Sequence, residues 1–410
     1  MSIEVVEGVQ TMTIDMVATA ALAGCLLMLG YFIREKVPLL ERLCIPAPVI
    51  GGFICTIVVW GLRASGTLSI TMDTTLQLPF MLAFFTCVGF GGSFKLLKNG
   101  GRLLVVFLGS CWALAIIQNV VGVGLAKVLG INPVLGVMAG TVSLVGGHGN
   151  AAAFGPVAEE LGVTGATTVA IAAATFGLVV GSLAGGPVGD FLIKRNKIKA
   201  EVQDEDVVVE GGKQVEQGEF TSKSFLAHLT IVFVFMFGGI LISNWVAALG
   251  IKNFALPNYV GAMFLAIGFR NINDKHELFK LDFKVTDLIL DVGLGFFLTM
   301  AIMTLKVWEL VDLAGPLFII LIIQFIVLLL FSVFVVFPLL GKNYDGAVMT
   351  GGFTGWGMGI AATAVVCMSA ICEKYNVRST KAFLIAPLCG AVFVDVVAIP
   401  TIIFFITKFA

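Results

Sequence analysis

Residues 133–161, PVLGVMAGTVSLVGGHGNAAAFGPVAEEL, decide the fold of this chain. Two apolar arms, 133–145 and 150–161, flank a glycine-rich vertex at 146–149. As a helix each arm reaches about 18 Å, whereas the hydrocarbon core of a bilayer is about 30 Å thick. Neither arm can cross a membrane alone, and the glycines of the vertex favour unwound backbone. Because irregular backbone at membrane depth is tolerated only inside protein or beside a watery cavity, we predict a re-entrant hairpin that forms a binding site.

The composition indicates a membrane protein. Hydrophobic residues make up 58% of the 410 residues and charged residues 12%, whereas about 25% of the residues in a soluble domain are charged. The eight cysteines are mostly scattered through apolar stretches and form no Cys-x-x-Cys pair, which argues against a disulfide framework. We interpret these cysteines as small core residues.

Ten apolar stretches predict an all-α polytopic membrane protein with about ten transmembrane helices. The predicted spans are 16–33, 47–62, 76–92, 103–129, 167–193, 225–249, 256–269, 286–305, 313–340 and 382–407. Residues 194–223 hold thirteen charged residues, which predicts a solvated linker between two halves. The predicted organisation is an N-terminal repeat at 1–193 with the hairpin 133–161, the linker 194–223, and a C-terminal repeat at 224–410 with a second hairpin at 344–374.

The two halves of the chain resemble each other in sequence. Four matches follow in the same order at nearly constant offsets: the Pro-Gly stretch 45–52 with 256–261, Gln118 with Gln324, Gly146-Gly147 with Gly351-Gly352, and Glu159 with Glu373. Several ordered matches of this kind predict an internal repeat.

The basic residues predict the orientation of the repeats. With the N-terminus outside, five crossings in each half and each hairpin returning to its own side, most of the 25 basic residues fall in cytoplasmic loops. Both termini are then outside and the linker is cytoplasmic. Because five is odd, the second half is inverted relative to the first, and inverted repeats with broken helices are typical of secondary transporters.

The backbone of the two predicted hairpins can hold ions of both signs. In the first hairpin the returning helix is expected to begin at Gly149-Asn150, with free N–H groups at Asn150, Ala151 and Ala152. In the second hairpin residues 351–359 are expected to unwind. Two helix N-termini that face one cavity favour an anion, preferably one with two carboxylates. The entering arms end in unpaired carbonyls around Val145 and Thr350, which suit a hard cation such as Na⁺.

Four side chains carry the remaining chemistry, and each has two interpretations. His148 binds substrate or carries a proton, or it packs beside the glycines as a capping residue. Asp395 lies in the middle of a span, where an unpaired charge costs about 3 kcal/mol or more, so it either coordinates a cation or has a structural partner. Asp345 binds an ion or caps the entering arm. Trp356 forms a lid over the substrate or fills space beside the glycines.

Two sets of candidate site residues follow from these patterns. The candidate substrate-binding residues are Ser143, Gly146, Gly147, His148, Gly149, Asn150, Gly351, Gly352, Thr354, Gly355, Trp356 and Thr363. The candidate Na⁺ ligands are Asp395, Asp345, Thr175, Val145 and Thr350. Gln118, Asn119 and Gln324 are interpreted as interhelical hydrogen-bonding residues.

Six short motifs resemble those of the bacterial sodium/glutamate symporters. They are GGHG at 146–149, PFMLAFF at 79–85, QN at 118–119, ATFGLV at 174–179, LKVWEL at 305–310 and GKNYD at 341–345. The resemblance extends from about residue 16 to the C-terminus. It implies Na⁺-driven uptake of glutamate through the bacterial inner membrane, with Na⁺ as coupling ion, no organic cofactor and no nucleic-acid partner. It also implies a homodimer in which a transport domain moves against a scaffold.

The second hairpin departs from the family pattern. Phe353, Thr354 and Trp356 stand where the family has histidine, cysteine and phenylalanine, Ala362 replaces a proline, and Ala47 replaces an acidic residue. These changes bear on substrate selectivity, so a Na⁺-coupled carrier of citrate- or malate-type carboxylates is the alternative function. A channel would also use re-entrant loops. An enzyme is not expected, because no nucleophile–base pair or metal cluster accompanies His148 or Asp345.

Overall fold

The computed structural model of the protein describes residues 2–6, 9–42, 45–94, 101–199, 221–248, 256–310, 313–377 and 379–410. The protein is 82% helical. Most of the predicted linker 194–223 lies outside the described residues, so its solvated character stays a prediction.

The described residues form seventeen α-helices. Their bounds are α1 (Met16–Lys36), α2 (Pro38–Arg42), α3 (Ala47–Ala64), α4 (Gln77–Phe90), α5 (Gly101–Val128), α6 (Pro133–Val137), α7 (Gly147–Glu160), α8 (Ala166–Arg195), α9 (Ser222–Ala248), α10 (Asn258–His276), α11 (Phe283–Met303), α12 (Ala314–Phe331), α13 (Phe337–Leu339), α14 (Tyr344–Trp356), α15 (Ala361–Tyr375), α16 (Thr380–Leu388) and α17 (Asp395–Phe409). Three π-helical segments, Met138–Val142, Ser332–Val336 and Cys389–Phe393, continue α6, α12 and α16, and a 3₁₀ turn covers Val307–Leu310.

Seven helices among the described residues are long and apolar enough to cross a membrane: α1, α3, α5, α8, α9, α11 and α12 with its continuation to Leu339. Three predicted spans differ from this pattern. The span 76–92 is a helix of 14 residues, 256–269 lies in a helix with charged residues in its last turn, and 382–407 is interrupted by a π-helical segment. The helical multi-pass membrane fold is confirmed, whereas ten crossings and an inverted repeat stay predictions.

A small three-stranded sheet joins the N-terminal segment to the loop after α3, and the all-α prediction did not include it. The strand β2 (Val9–Ile14) pairs antiparallel with β1 (Ser2–Val6) and parallel with β3 (Ser69–Met72). Thr11 is opposite Ser69 and Ile14 is opposite Met72 in the parallel pair. Because β3 follows α3, the N-terminal segment and the loop after α3 lie at the same end of the helical body.

The helices pack in two groups. The first group contains α1, α3, α4 and α9 to α11, and the second contains α5 to α8 and α12 to α17. Contacts between the groups are sparse, and the largest of them joins α7 to α11. The boundary between the two groups is therefore a place where a cavity can form.

Glycines bring α8 and α14 into backbone contact within the second group. A Cβ at Gly185 would lie 2.4 Å from the carbonyl oxygen of Gly351, and a Cβ at Gly181 would lie 2.6 Å from that of Gly355. Small residues spaced by four allow two membrane helices to approach this closely. Hydrogen bonds add to the packing, since Gln118 Nε2 donates to Gly357 O at 2.8 Å.

The predicted interhelical role of the glutamines is confirmed. Gln324 Nε2 on α12 donates to the carbonyl oxygen of Gln118 on α5 at 2.7 Å. The side-chain amide of Asn119 is buried and has no hydrogen-bond partner among the described residues, so the same role is not observed for it.

The first hairpin turns slightly earlier than the sequence predicts. The chain turns at Val145 and Gly146, and α7 begins at Gly147 instead of the predicted Gly149-Asn150. His148 and Gly149 are therefore residues of the first helical turn, and the unwound segment is short.

The second hairpin turns later than predicted. Helix α14 continues through Gly351 and Gly352 to Trp356, and the chain turns at residues 357–360. The predicted unwinding at 351–356 is wrong, because these glycines serve close packing in a regular helix. A Cβ at Gly351 would lie 2.4 Å from Ile371 Cδ1 on the returning helix α15.

Candidate functional site

The two hairpin turns meet each other between the two groups of helices. Gly147 has a φ of +62°, a conformation that favours glycine. A Cβ at this position would lie 2.6 Å from Cγ2 of Ile360 in the second turn. The first residues of α7 and of α15 therefore approach the same point.

A cavity of about 250 Å³ lies at this meeting point. Its lining comes from both hairpins, the last membrane segment and the facing helices α4 and α11. The residues are Pro46, Phe84, Phe85, Val88, Val145, Gly146, His148, Gly149, Asn150, Leu294, Leu298, Ile360, Ala361, Ala362, Gly390, Val394 and Asp395. The hairpins and Asp395 supply the polar groups, and α4 and α11 supply an apolar wall.

Two helix N-termini contribute to the lining of this cavity. In α7 the backbone N–H of Asn150 donates a hydrogen bond to the carbonyl oxygen of Gly146 at 3.4 Å. The prediction that this N–H is free is therefore wrong. The free N–H groups at the start of α7 are instead those of Gly147, His148 and Gly149, because the first N–H groups of a helix have no partner within the helix. In α15 the N–H groups of the first turn begin at Ala361. Both ends carry partial positive charge that attracts anions.

Asp395 places one carboxylate at the cavity. The residue is 9% exposed and begins α17 directly after the π-helical segment. Asn150 Nδ2 lies 3.5 Å from its Oδ1, which is a long hydrogen bond. A nearly buried carboxylate with so weak a partner is suited to a cation, because burying an uncompensated charge is costly.

His148 also lines the cavity and connects it to α8. Its Nε2 lies 2.9 Å from Thr175 Oγ1, and the Thr175 hydroxyl in turn donates to Ile171 O at 2.9 Å. The other ring nitrogen, Nδ1, is buried and has no hydrogen-bond partner among the described residues. Thr175 therefore supports His148 through a direct contact.

Several candidate substrate-binding residues of the second hairpin are not part of the cavity lining. Thr354 is fully buried and its hydroxyl donates to Thr350 O at 2.9 Å. The hydroxyl of Thr363 donates to Gly355 O at 2.9 Å and caps α15. A Cβ at Gly355 would lie 2.8 Å from Cys367 Sγ, so this glycine serves packing between the two arms.

Trp356 and Ser143 are also packing residues in this structure. The indole Nε1 of Trp356 donates to Gly390 O at 3.3 Å, and the ring lies 5.7 Å from that of Phe353. The space-filling interpretation of Trp356 is therefore favoured over a lid. Ser143 is fully buried, and its hydroxyl donates to Ala170 O at 2.8 Å.

The candidate Na⁺ ligands separate into two sets. Val145 and Asp395 line the cavity, whereas Thr350 lies within α14 with its carbonyl bonded to Thr354. Asp345 lies in the first turn of α14, about 18 Å from the hairpin turn at about 1.5 Å per residue. There it accepts a hydrogen bond from Ser379 Oγ at 2.6 Å. The structure does not bring Asp345 to the site.

The apolar wall was not among the site residues predicted from sequence. Phe84 lies 3.5 Å from the position of a Cβ on Gly149, so its ring covers the start of α7. Leu294 and Leu298 of α11 continue this wall. Of these residues only Phe84 falls in a motif that the sequence marks, the PFMLAFF stretch, and nothing in the sequence distinguishes the leucines from other lipid-facing or core residues.

A larger cavity of about 620 Å³ lies beside the first one, at the end of α7 where Glu159 and Glu160 are located. Tyr259 lines this larger cavity, and Phe85 lines the smaller one. Their ring centroids are 4.8 Å apart, and Phe154 packs against Tyr259 at 5.6 Å. A layer of aromatic rings therefore separates the two cavities.

Helical hairpins that meet inside a multi-pass membrane fold, with helix N-termini and a buried carboxylate at one cavity, are typical of secondary transporters. A family model described as Sodium/glutamate symporter matches residues 12–377 of the chain. The chain is 35% identical over 386 residues to a sodium/glutamate symporter of Escherichia coli K12, covering 94% of this chain and 95% of that protein. It is 37% identical over 386 residues to a sodium/glutamate symporter of Haemophilus influenzae, covering 92% and 94%. The chain belongs to the sodium/glutamate symporter family and is a transporter and not an enzyme.

Proposed function

We propose that this protein is a Na⁺-coupled symporter that imports L-glutamate across the bacterial inner membrane. The observation that carries the proposal is the single cavity at which the N-termini of α7 and α15 and the carboxylate of Asp395 come together. Family membership supports the choice of glutamate and Na⁺, since the relatives described above are named for both. Those names do not favour the citrate- or malate-type carrier.

The substrate carboxylates bind at the two helix N-termini. Each terminus provides unpaired N–H groups and a partial positive charge, worth about 0.3–1 kcal/mol for an exposed anion and up to about 2 kcal/mol in a partly buried position. Gly146 and Gly149 leave backbone partly open to the cavity, so carboxylate oxygens can approach the N–H groups directly. A substrate with two carboxylates uses both termini at once and holds the hairpin turns together.

The coupling cation binds at Asp395. Oxygen ligands suit a hard cation, and three residues that can supply such oxygens, Asp395, Asn150 and Val145, all line the cavity. Cation and substrate then neutralise each other in a site of low polarity, so each increases the affinity for the other. Asp291 provides the matched control, since it is an exposed carboxylate on α11 that is not part of the lining.

Transport proceeds by alternating access, with the second helical group moving against the first. The two groups are those described for the fold, and the cavity lies at their sparse boundary. An elevator-type movement fits this division, because each half contributes its first three spans to one group and its hairpin with the flanking spans to the other. The homodimer implied by the family resemblance is part of this proposal, and the mass of the purified protein in nanodiscs tests it.

Contacts at the helix ends support the orientation proposed from the charges. Lys374 Nζ and Lys194 Nζ both lie 2.9 Å from Asp190, and the positive-inside rule assigns both lysines to the cytoplasmic side. Arg63 lies 4.3 Å from the ring of Trp308, and both are assigned to the outside. We infer termini outside, a cytoplasmic linker and two inverted repeats, 1–193 and 224–410, each with one re-entrant hairpin.

Uptake into proteoliposomes tests the proposed function. We expect L-glutamate to accumulate only with an inward Na⁺ gradient, and unlabelled aspartate, malate and citrate define the selectivity. Asp395→Asn should abolish the Na⁺ dependence, whereas Asp291→Asn should leave it intact. Accumulation driven by a proton gradient alone, or preferred uptake of citrate, would contradict the proposal.

A further inference from the structure

The hydrogen bonds around His148 determine which ring nitrogen carries the proton. Thr175 Oγ1 lies 2.9 Å from both His148 Nε2 and Ile171 O. The hydroxyl has one proton and a carbonyl can only accept, so both contacts are hydrogen bonds only if the hydroxyl donates to Ile171. His148 Nε2–H must then donate to Thr175. The opposite arrangement would place two oxygen lone pairs against each other at 2.9 Å.

A buried imidazolium without a paired counter-charge is costly, and His148 forms no ion pair among the described residues, so the ring is neutral and its unprotonated Nδ1 acts only as an acceptor. This atom is buried and has no hydrogen-bond partner among the described residues, and the residue is 3% exposed where it lines the cavity. An unpaired buried acceptor is energetically costly, and a ligand that supplies a donor removes this cost. A ligand with a hydrogen-bond donor opposite His148 Nδ1 is therefore favoured at this site.

An amino dicarboxylate offers two kinds of group to this cavity. Its ionised carboxylates can only accept hydrogen bonds, whereas its ammonium group can only donate them. We propose that His148 Nδ1 accepts a hydrogen bond from the substrate ammonium group and thereby selects amino dicarboxylates over dicarboxylates that lack the amine. This inference rests on the proposed function and orients the substrate within the same site. The carboxylates bind at the N-termini of α7 and α15, and Na⁺ binds at Asp395.

Two variants of His148 separate recognition of the amine from support of the fold. In His148→Gln the side-chain amide nitrogen occupies the position of Nε2, so it can still donate to Thr175, but the acceptor at the Nδ1 position is lost. In His148→Asn the side-chain oxygen is bonded to Cγ as Nδ1 is, so the acceptor remains while the contact with Thr175 is lost. The two variants therefore remove the two hydrogen bonds one at a time.

Binding of L-glutamate and of glutarate to the purified full-length protein at saturating Na⁺, followed by calorimetry, tests the inference. We expect the wild type to bind glutamate about ten- to a hundredfold more tightly than glutarate, which is the range for a hydrogen bond to a charged group. His148→Gln should lose most of this ratio with little change in glutarate affinity. His148→Asn should keep the ratio, although both affinities fall together.

The outcomes distinguish this inference from the function on which it rests. Equal affinities of the wild type for the two compounds overturn the inference and leave Na⁺-coupled transport intact. A ratio that survives in His148→Gln, or that is lost only in His148→Asn, also overturns it, because the histidine then acts through Thr175 alone. Failure of the wild type to bind glutamate in a Na⁺-dependent manner overturns both.

Discussion

Replacement of Gly147 by alanine tests whether the two hairpin turns must touch. The residue has a φ of +62°, and a left-handed conformation costs a non-glycine residue about 1–2 kcal/mol. The new methyl group would also lie 2.6 Å from Ile360 Cγ2, and overpacking of this kind costs about 1–3 kcal/mol. The arrangement with touching turns is therefore destabilised by about 2–5 kcal/mol, since the two costs act on the same residue.

Gly352→Ala is the matched control in the second hairpin. Gly352 lies inside α14, where alanine is favoured over glycine by about 1 kcal/mol. Its Cβ would lie 2.8 Å from Cγ and Sδ of Met368, an unbranched side chain that can move aside. We expect the folded fraction of this variant to keep nearly wild-type glutamate affinity, because Gly352 does not line the cavity.

The assay measures Na⁺-dependent glutamate uptake and the yield of monodisperse protein for both variants. At about 1.4 kcal/mol for each tenfold change, Gly147→Ala should lower apparent glutamate affinity by at least about 30-fold. Normal affinity in Gly147→Ala together with a loss of glutamate affinity in folded Gly352→Ala would contradict this prediction, because the second glycine pair and not the turn contact would then form the site.

Three further predictions concern the cation, the packing and the cavity lining. Asp395→Asn should lose activation of uptake by Na⁺ while the protein remains inserted, and an unchanged Na⁺ titration would show that this carboxylate is structural. Gly185→Val should give little folded protein in size-exclusion chromatography, because even a Cβ there lies 2.4 Å from a backbone oxygen of α14; a normal yield would contradict the packing. In a cysteine-free background, glutamate with Na⁺ should shield Asn150→Cys and Ala362→Cys from thiol reagents, whereas Thr354→Cys should be unreactive throughout, and the reverse pattern would argue against the cavity.

The first hairpin could be predicted from its sequence because several signals agree there. Arms too short to cross a bilayer flank consecutive glycines. One of these glycines, Gly147, has a φ of +62°, a conformation that favours glycine. Helix α7 begins at Gly147, two to three residues before the predicted start, because packing around Gly-His-Gly outweighs the tendency of glycine to interrupt a helix. His148 and Asn150 nevertheless remained at the cavity.

The predicted unwinding of the second hairpin at 351–356 is wrong because glycine has two uses in membrane helices. Gly351 and Gly352 resemble the first vertex in sequence, but they bring α14 close to α8 and α15 without unwinding. Composition alone cannot separate these uses, since both need a residue without a side chain. The turn itself depends on Thr363, whose hydroxyl accepts from Ile360 N at 3.0 Å, a contact that no local pattern indicates.

The position of the Asp345 carboxylate could not be predicted from local sequence either. Its carboxylate accepts a hydrogen bond from Ser379 Oγ at 2.6 Å, from a residue 34 positions further along the chain. Asn343, and not Asp345, caps α14 by accepting from Gly346 N at 2.8 Å. Which carboxylate reaches the site is decided by the tertiary arrangement of the hairpins, and among the described residues only Asp395 lies at their meeting point.

The most direct test of the central claim is a cryo-electron microscopy structure of the protein with L-glutamate and Na⁺. We expect ligand density between the first turns of α7 and α15, with a cation density beside the Asp395 carboxylate. Density for glutamate at any other position, with the cavity between the hairpin turns empty, would contradict it.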